Sequence, residues 1–147
     1  MVPMPDALLQ LRVPPQAHLC GVVRERIVEF ASSRGIGGSD LSYFLVAFGE
    51  ALANAIEHGL GDDPILIECR IGEDRIVARI EDFGLGFTGP PPVVPELPDP
   101  LAERGRGLAI MRRCSDIFSL STMQGRGTNV TIGRYLKHSA DSESMTA

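Results

Sequence analysis

Glu50, Asn54 and His58 recur at i, i+4 and i+8 along a stretch whose apolar residues have helical spacing. At about 100° per residue the three fall within an arc of about 80°, so they form one polar stripe. Leu41, Phe44, Phe48, Leu52 and Ala55 cluster away from it. The helix can therefore bury its back while presenting a carboxylate, an amide and an imidazole together. Taken alone, the same stripe is what a solvated helix face would show, its terminal histidine favourably placed in the helix dipole.

Downstream, Asp82-Phe83-Gly84-Leu85-Gly86 puts a carboxylate at the end of a β-rich run, followed by two closely spaced glycines. Fixed on a rigid strand, Asp82 could accept a hydrogen bond from a planar donor such as the amino group of adenine, with Gly84 and Gly86 letting a ligand approach the backbone. A plain tight turn would look the same. Gly105-Arg106-Gly107-Leu108 opens a helical segment, so its glycines can offer backbone N–H groups and a helix N-terminus to an anion. Gly125-Arg126-Gly127-Thr128-Asn129 reads on its own as a hairpin turn.

Several other chemistries are excluded. Asp82-Phe83-Gly84 spells the metal-binding triplet of eukaryotic-type protein kinases, but 147 residues are too few for that fold and no H-R-D catalytic loop is present. The sequence has no G-x-x-x-x-G-K-[ST] run, which removes a P-loop. Position 110 is Ile, which breaks the dinucleotide-binding glycine fingerprint. Fourteen basic against nineteen acidic residues give a net charge of -5 without a basic block, which argues against nucleic acid as a partner. Cys20, Cys69 and Cys114 are far apart and form no C-x-x-C pair, so they read as reduced core thiols. There is no signal-like N-terminus and no apolar run of about 18 residues, so no membrane partner and a cytoplasmic location are expected.

The elements that must position these residues follow from periodicity. Residues 7–13 alternate as a first strand and stop at Pro14-Pro15. From His18 to about Ser33, Leu19, Val22, Val23, Ile27 and Phe30 predict an amphipathic helix that Gly35 to Gly38 terminate. Ser39 or Asp40 can cap a second helix ending at His58. Residues 65–71 and 75–81 predict a hairpin about Gly72-Glu73-Asp74. Six prolines between Pro90 and Pro100 make residues 88–104 a long irregular segment, the signature of a lid or binding loop. A helix over 107–116 and strands over 118–123 and 128–135 complete the order, and the tail from His138 reads as disordered. Helices and hairpins segregated in this way predict one two-layer α+β sandwich with its core over about 7–136.

The order E-x-x-x-N-x-x-x-H-G, D-x-G-x-G, G-x-G-L, G-T resembles the GHKL ATP-binding superfamily. With the Phe48-Gly49-Glu50-Ala51 lead-in and single-domain length, it looks like the anti-sigma-factor serine/threonine kinases of bacterial partner-switching systems. The resemblance implies a Bergerat-type fold with a mixed, mostly antiparallel sheet, binding ATP and Mg²⁺. On that basis Asn54 is the Mg²⁺ ligand, an amide oxygen suiting a hard cation. Glu50 becomes the general base, Asp82 the adenine-reading carboxylate, and Gly84 and Gly86 the turn beside it. Gly105, Arg106, Gly107 and Leu108 match the phosphate cradle, and of the basic residues around it, Arg104 and Arg106, the resemblance does not single out the one that touches phosphate. Thr128 lies at the adenine end, and His58 ends the helix motif. Arg24 falls where relatives carry an arginine used for protein contacts. The implied function is phosphorylation of an anti-sigma-factor antagonist together with sequestration of a sigma factor, and a homodimer is admitted. Two other readings stay open: a non-catalytic ATP-binding interaction module, and a detached histidine-kinase catalytic domain.

Overall fold

A computed structural model describes residues 6–58, 63–83, 106–123 and 127–137. Along them run β1 (Ala7–Val13), a 3-10 turn (Ala17–Leu19), α1 (Cys20–Ser33), α2 (Gly38–His58), β2 (Ile65–Ile71), β3 (Arg75–Asp82), α3 (Arg106–Arg113), β4 (Ile117–Met123) and β5 (Gly127–Tyr135). The strands form one sheet in the order β1-β2-β3-β5-β4. The expected α+β sandwich is present, but among the described residues all four pairings are antiparallel, in place of the expected mixed sheet. The reason is topological. α3 returns the chain so that β4 runs in the direction of β3, but β5 lies between the two and is antiparallel to both.

Strand alternation sends Ile65, Ile67, Cys69 and Ile71 of β2, Ile76, Ala78 and Ile80 of β3, and Val130 and Ile132 of β5 into the core beneath the helices. The register stacks Ile67 beside Ile80 and Ala78 beside Ile132. From above, α2 contributes Phe44 and Phe48, their rings stacked with centroids 6.2 Å apart. α1 adds Val23, Ile27 and Ala31, one residue per turn. Val22, expected on that face, is instead 57% exposed. Five positions from Ile27 is about 500° of rotation, which turns Val22 away from the core.

The glycines between α1 and α2 act as anticipated. Gly35 takes φ 76°, and the Ile36 N–H reaches the Ala31 carbonyl while the Gly35 N–H reaches Ser32, each at 3.0 Å. This is a Schellman closure, with Ile36 buried behind it. The expected cap on α2 is different. The helix begins at Gly38, so Ser39 and Asp40 lie inside its first turn. Asp40 is buried, and its carboxylate receives the Lys137 N–H at 3.1 Å and lies 3.6 Å from Arg134. A long-range partner has taken the side chain that a local cap would use.

All three cysteines are free. Burial pushes the Cys69 thiol up to about 12, so it stays a neutral apolar group in the core. Among the described residues no helix is long and apolar enough to cross a membrane. The proline-rich segment 88–104 and the tail from His138 lie outside the described residues.

Candidate functional site

One half of the site is built by the sheet. Asp82 ends β3 and is in register with Thr128 of β5. Their parity is that of Ile80 and Val130, so both face the helical layer, and they are 3% and 5% exposed. A carboxylate and a hydroxyl at that depth are costly unless they meet polar partners. The pair is brought together by Gly127, which has φ 92°. A side-chain carbon there would run into the Asp82 carbonyl oxygen and lie 2.9 Å from Phe83 Cα. Only glycine lets β5 start so close to the end of β3. The motif order ends in Gly127-Thr128 but assigns a role only to Thr128, because a glycine in Gly125–Asn129 reads as part of an ordinary turn; the close approach of the two backbones is what gives Gly127 its own part.

The other half is built by helices. Glu50 and Asn54 are half-buried on α2, and His58 is exposed at its last residue. The direction of α2 is fixed by Asp40, which meets Arg134 and Lys137 near the end of β5. From Asp40 to Asn54 is about 21 Å of helix, and from Arg134 back to Thr128 about 20 Å of strand. α2 packs over β3 and β5, so Asn54 comes over the Asp82–Thr128 end of the sheet. α3 packs along α2 and buries Ala109 and Met111, with Leu108 partly buried against the core. A side-chain carbon at Gly107 would lie 3.1 Å from Glu50 Oε2, so the carboxylate sits directly against the first turn of α3. α3 stops at Arg113, short of the expected 116, where the chain turns into β4.

The structure thus unites Glu50 with Gly107 and Asp82 with Thr128, and leaves Asn54 half-buried one turn after Glu50 on α2. Gly84, Gly86, Arg104 and Gly105 lie outside the described residues, as does the side chain of Arg106. Arg24 stands exposed on α1.

The residues present fit a nucleotide carrying its own cation. Among the described residues no three His, Cys, Asp or Glu side chains gather into a metal cage. A single amide oxygen on an accessible helix face suits Mg²⁺, which keeps water and phosphate oxygens as its other ligands. The close approach at Gly127 holds a carboxylate and a hydroxyl side by side at the strand ends, a pair whose chemistry fits a hydrogen-bonding group.

Residues 13–134 match the histidine kinase-like ATPase domain, and the chain belongs to that family. It is 25% identical over 138 residues to the serine-protein kinase RsbW of Bacillus velezensis, covering 87% of this chain and 85% of that one. Against the anti-sigma F factor of Clostridium novyi it is 29% identical over 121 residues, or 78% and 84% of the two chains. A crystal structure of RsbU and RsbW domains from Mycobacterium tuberculosis shares the fold, with a TM-score of 0.64 at 20% identity. That likeness covers 90% of this chain and 32% of the solved one.

Proposed function

We propose that this chain, read as a single domain over residues 1–147, is an ATP-dependent serine/threonine protein kinase that phosphorylates an anti-sigma-factor antagonist and also sequesters a sigma factor. The contact between Glu50 and Gly107 carries the reading. It sets a carboxylate against the backbone at the start of a helix, where phosphate oxygens are best received. A module that only binds nucleotide needs no base there.

Asp82 and Thr128 hold adenine, Asn54 holds Mg²⁺, and the first turn of α3 receives the phosphates. When bound, Mg²⁺ neutralises phosphate charge. The partner's hydroxyl oxygen attacks the γ-phosphorus as the bond to the bridging oxygen of ADP breaks, and Glu50 takes the hydroxyl proton. Because ADP and phosphoprotein are the only products, no water need enter the site. Exposed Arg24 on α1 supplies a guanidinium for docking the partner proteins, a residue type enriched at interface hot spots.

The experiment uses γ-labelled ATP, Mg²⁺ and the small antagonist that co-purifies from the native host. Glu50→Ala should keep Mg-ATP binding and lose about 10²- to 10⁴-fold in transfer, whereas Asn54→Ala should lose the Mg²⁺-dependent part of binding. Transfer by Glu50→Ala at the wild-type rate would remove the carboxylate from the chemistry. An acid-stable product identifies serine or threonine, an acid-labile one histidine, and no transfer at all leaves the nucleotide-binding module. Arg24→Glu should weaken pull-down of both antagonist and sigma factor while ATP affinity stays within about twofold. Undiminished capture of both would return Arg24 to the solvated helix face.

A further inference from the structure

We infer that Arg134 is a positioning residue for phosphoryl transfer: by gripping the C-terminal end of α3, it fixes where the other end of that helix meets Glu50. The inference rests on the reading of Glu50 as the base.

Arg134 lies near the end of β5 with its side chain 13% exposed, and it touches two other elements. Its Nη1 donates to the Cys114 carbonyl at 3.1 Å. Nη2 lies 3.6 Å from Asp40 Oδ1, and the guanidinium sits 4.9 Å from the centre of the Tyr43 ring. Asp40 and Tyr43 both belong to the first half of α2. Cys114 directly follows α3, so its carbonyl is among those a helix end leaves without an intrahelical donor. A cation there also meets the negative end of the helix dipole. The two ends of α3 are therefore held differently: Arg134 clamps one to α2, and the other brings Gly107 against Glu50.

Two features say that this clamp sets place more than stability. Arg134 Nε is buried with no hydrogen-bond partner among the described residues. A buried ion pair with an unsatisfied donor adds little net stability over an apolar pair of the same shape, so its directional contacts are what it adds, although removing one partner alone leaves the other charge stranded. α3 has eight residues, too few to hold a direction without tertiary contacts. Ala109 and Met111 seat it by apolar burial, which is non-directional and leaves the axis free to tilt. The guanidinium fork is directional. At about 1.5 Å per residue Gly107 lies about 10 Å from Cys114, so a tilt of roughly 6° moves it by about 1 Å. Misplacement on that scale costs on the order of 100-fold where reacting groups must be aligned.

The test compares wild type with Arg134→Gln, which keeps one donor and loses charge and fork, and with Arg134→Lys, which keeps the charge. Without nucleotide, amide exchange in α3 should be at least about tenfold faster in Arg134→Gln and intermediate in Arg134→Lys, a clearly larger factor than any acceleration of the core amides of β2 and β3, which report the global cost of leaving Asp40 without its cation. With Mg-ATP and the co-purifying antagonist, kcat should fall at least about tenfold while KM for ATP, still served by the untouched Asp82 and Thr128 but less well by the shifted first turn of α3, rises by a clearly smaller factor. Unchanged exchange in α3 overturns the inference. So does equal acceleration in α3 and the core, which would make Arg134 an ordinary stabilising residue. Should Arg134→Gln not fold, Arg134→Lys decides on the same two criteria. The exchange measurement needs no catalysis, so absence of transfer in wild type would count against the proposed function and leave the placement of α3 to be judged by exchange.

Discussion

The two ends of the candidate site are held by different kinds of structure. At the sheet end, Asp82 and Thr128 meet because β3 and β5 are in register and because Gly127 lets two backbones nearly touch. The backbone there cannot shift without breaking a strand pairing. At the helix end, Glu50 meets Gly107 because two helices lie side by side, and the contact is between a side chain and a backbone. Side chains rotate and short helices tilt. On the proposed function, a rigid end for recognition and an adjustable one for chemistry is what phosphotransfer needs, since the base would stay in place while the phosphates and their acceptor rearrange.

The comparison is tested most severely at Gly127. Gly127→Ala adds a methyl to a backbone at φ 92° and drives it into the Asp82 carbonyl. Left-handed strain of about 1–2 kcal/mol and overpacking of about 1–3 kcal/mol should together lower the unfolding temperature by on the order of 10 °C. Nucleotide affinity should fall with it, because Asp82 can no longer stay opposite Thr128. Calorimetry on the variant decides. A wild-type melting temperature would mean that this strand end gives way easily, and the contrast between the two ends would go.

A gentler change separates recognition from rigidity. Asp82→Asn keeps the shape of the strand end and replaces an acceptor oxygen with a donor. An adenine amino group would then face another donor, at a cost of about 1–3 kcal/mol, or roughly 5- to 150-fold in affinity. The preference for ATP, the Kd for GTP divided by that for ATP, should shrink accordingly in competition titrations, with the melting temperature almost unchanged. An unaltered ratio would show that Asp82 does not read the base.

How much of this was legible in the sequence follows the same division. Register is set by alternation, so strands over 65–71 and 75–81 and the helix-facing position of Asp82 could be read locally. The Glu50-Asn54-His58 stripe was legible because helical periodicity is a local property. What the sequence hid lies at long separations. Asp40 looked like a helix cap because no local pattern announces a partner 94 residues away at Arg134. The fully antiparallel sheet was hidden for a similar reason, since the insertion of β5 between β3 and β4 depends on the whole fold. Val22 was misplaced because apolar character alone does not give angular position on a helix face.

The smallest expected effect on stability is the sharpest test of the helix end. Gly107→Ala makes the same chemical change as Gly127→Ala, but the added methyl meets Glu50 Oε2 at 3.1 Å instead of a carbonyl fixed in a strand. The obstacle is the far end of a side chain that can rotate away. Replacing glycine by alanine within a helix also gains about 0.5–1 kcal/mol, which offsets the crowding, so stability should stay within about 0.5 kcal/mol of wild type. Function should not escape so lightly. The carboxylate that turns aside is the proposed base, and its displacement by even part of an ångström should slow transfer about tenfold while leaving ATP affinity nearly intact. Melting curves for both glycine variants, measured beside a transfer assay, give the answer. If Gly107→Ala destabilises the protein as much as Gly127→Ala, the helix end is as rigid as the sheet end. Full stability with full activity would mean that Glu50 is not held by this contact during the reaction.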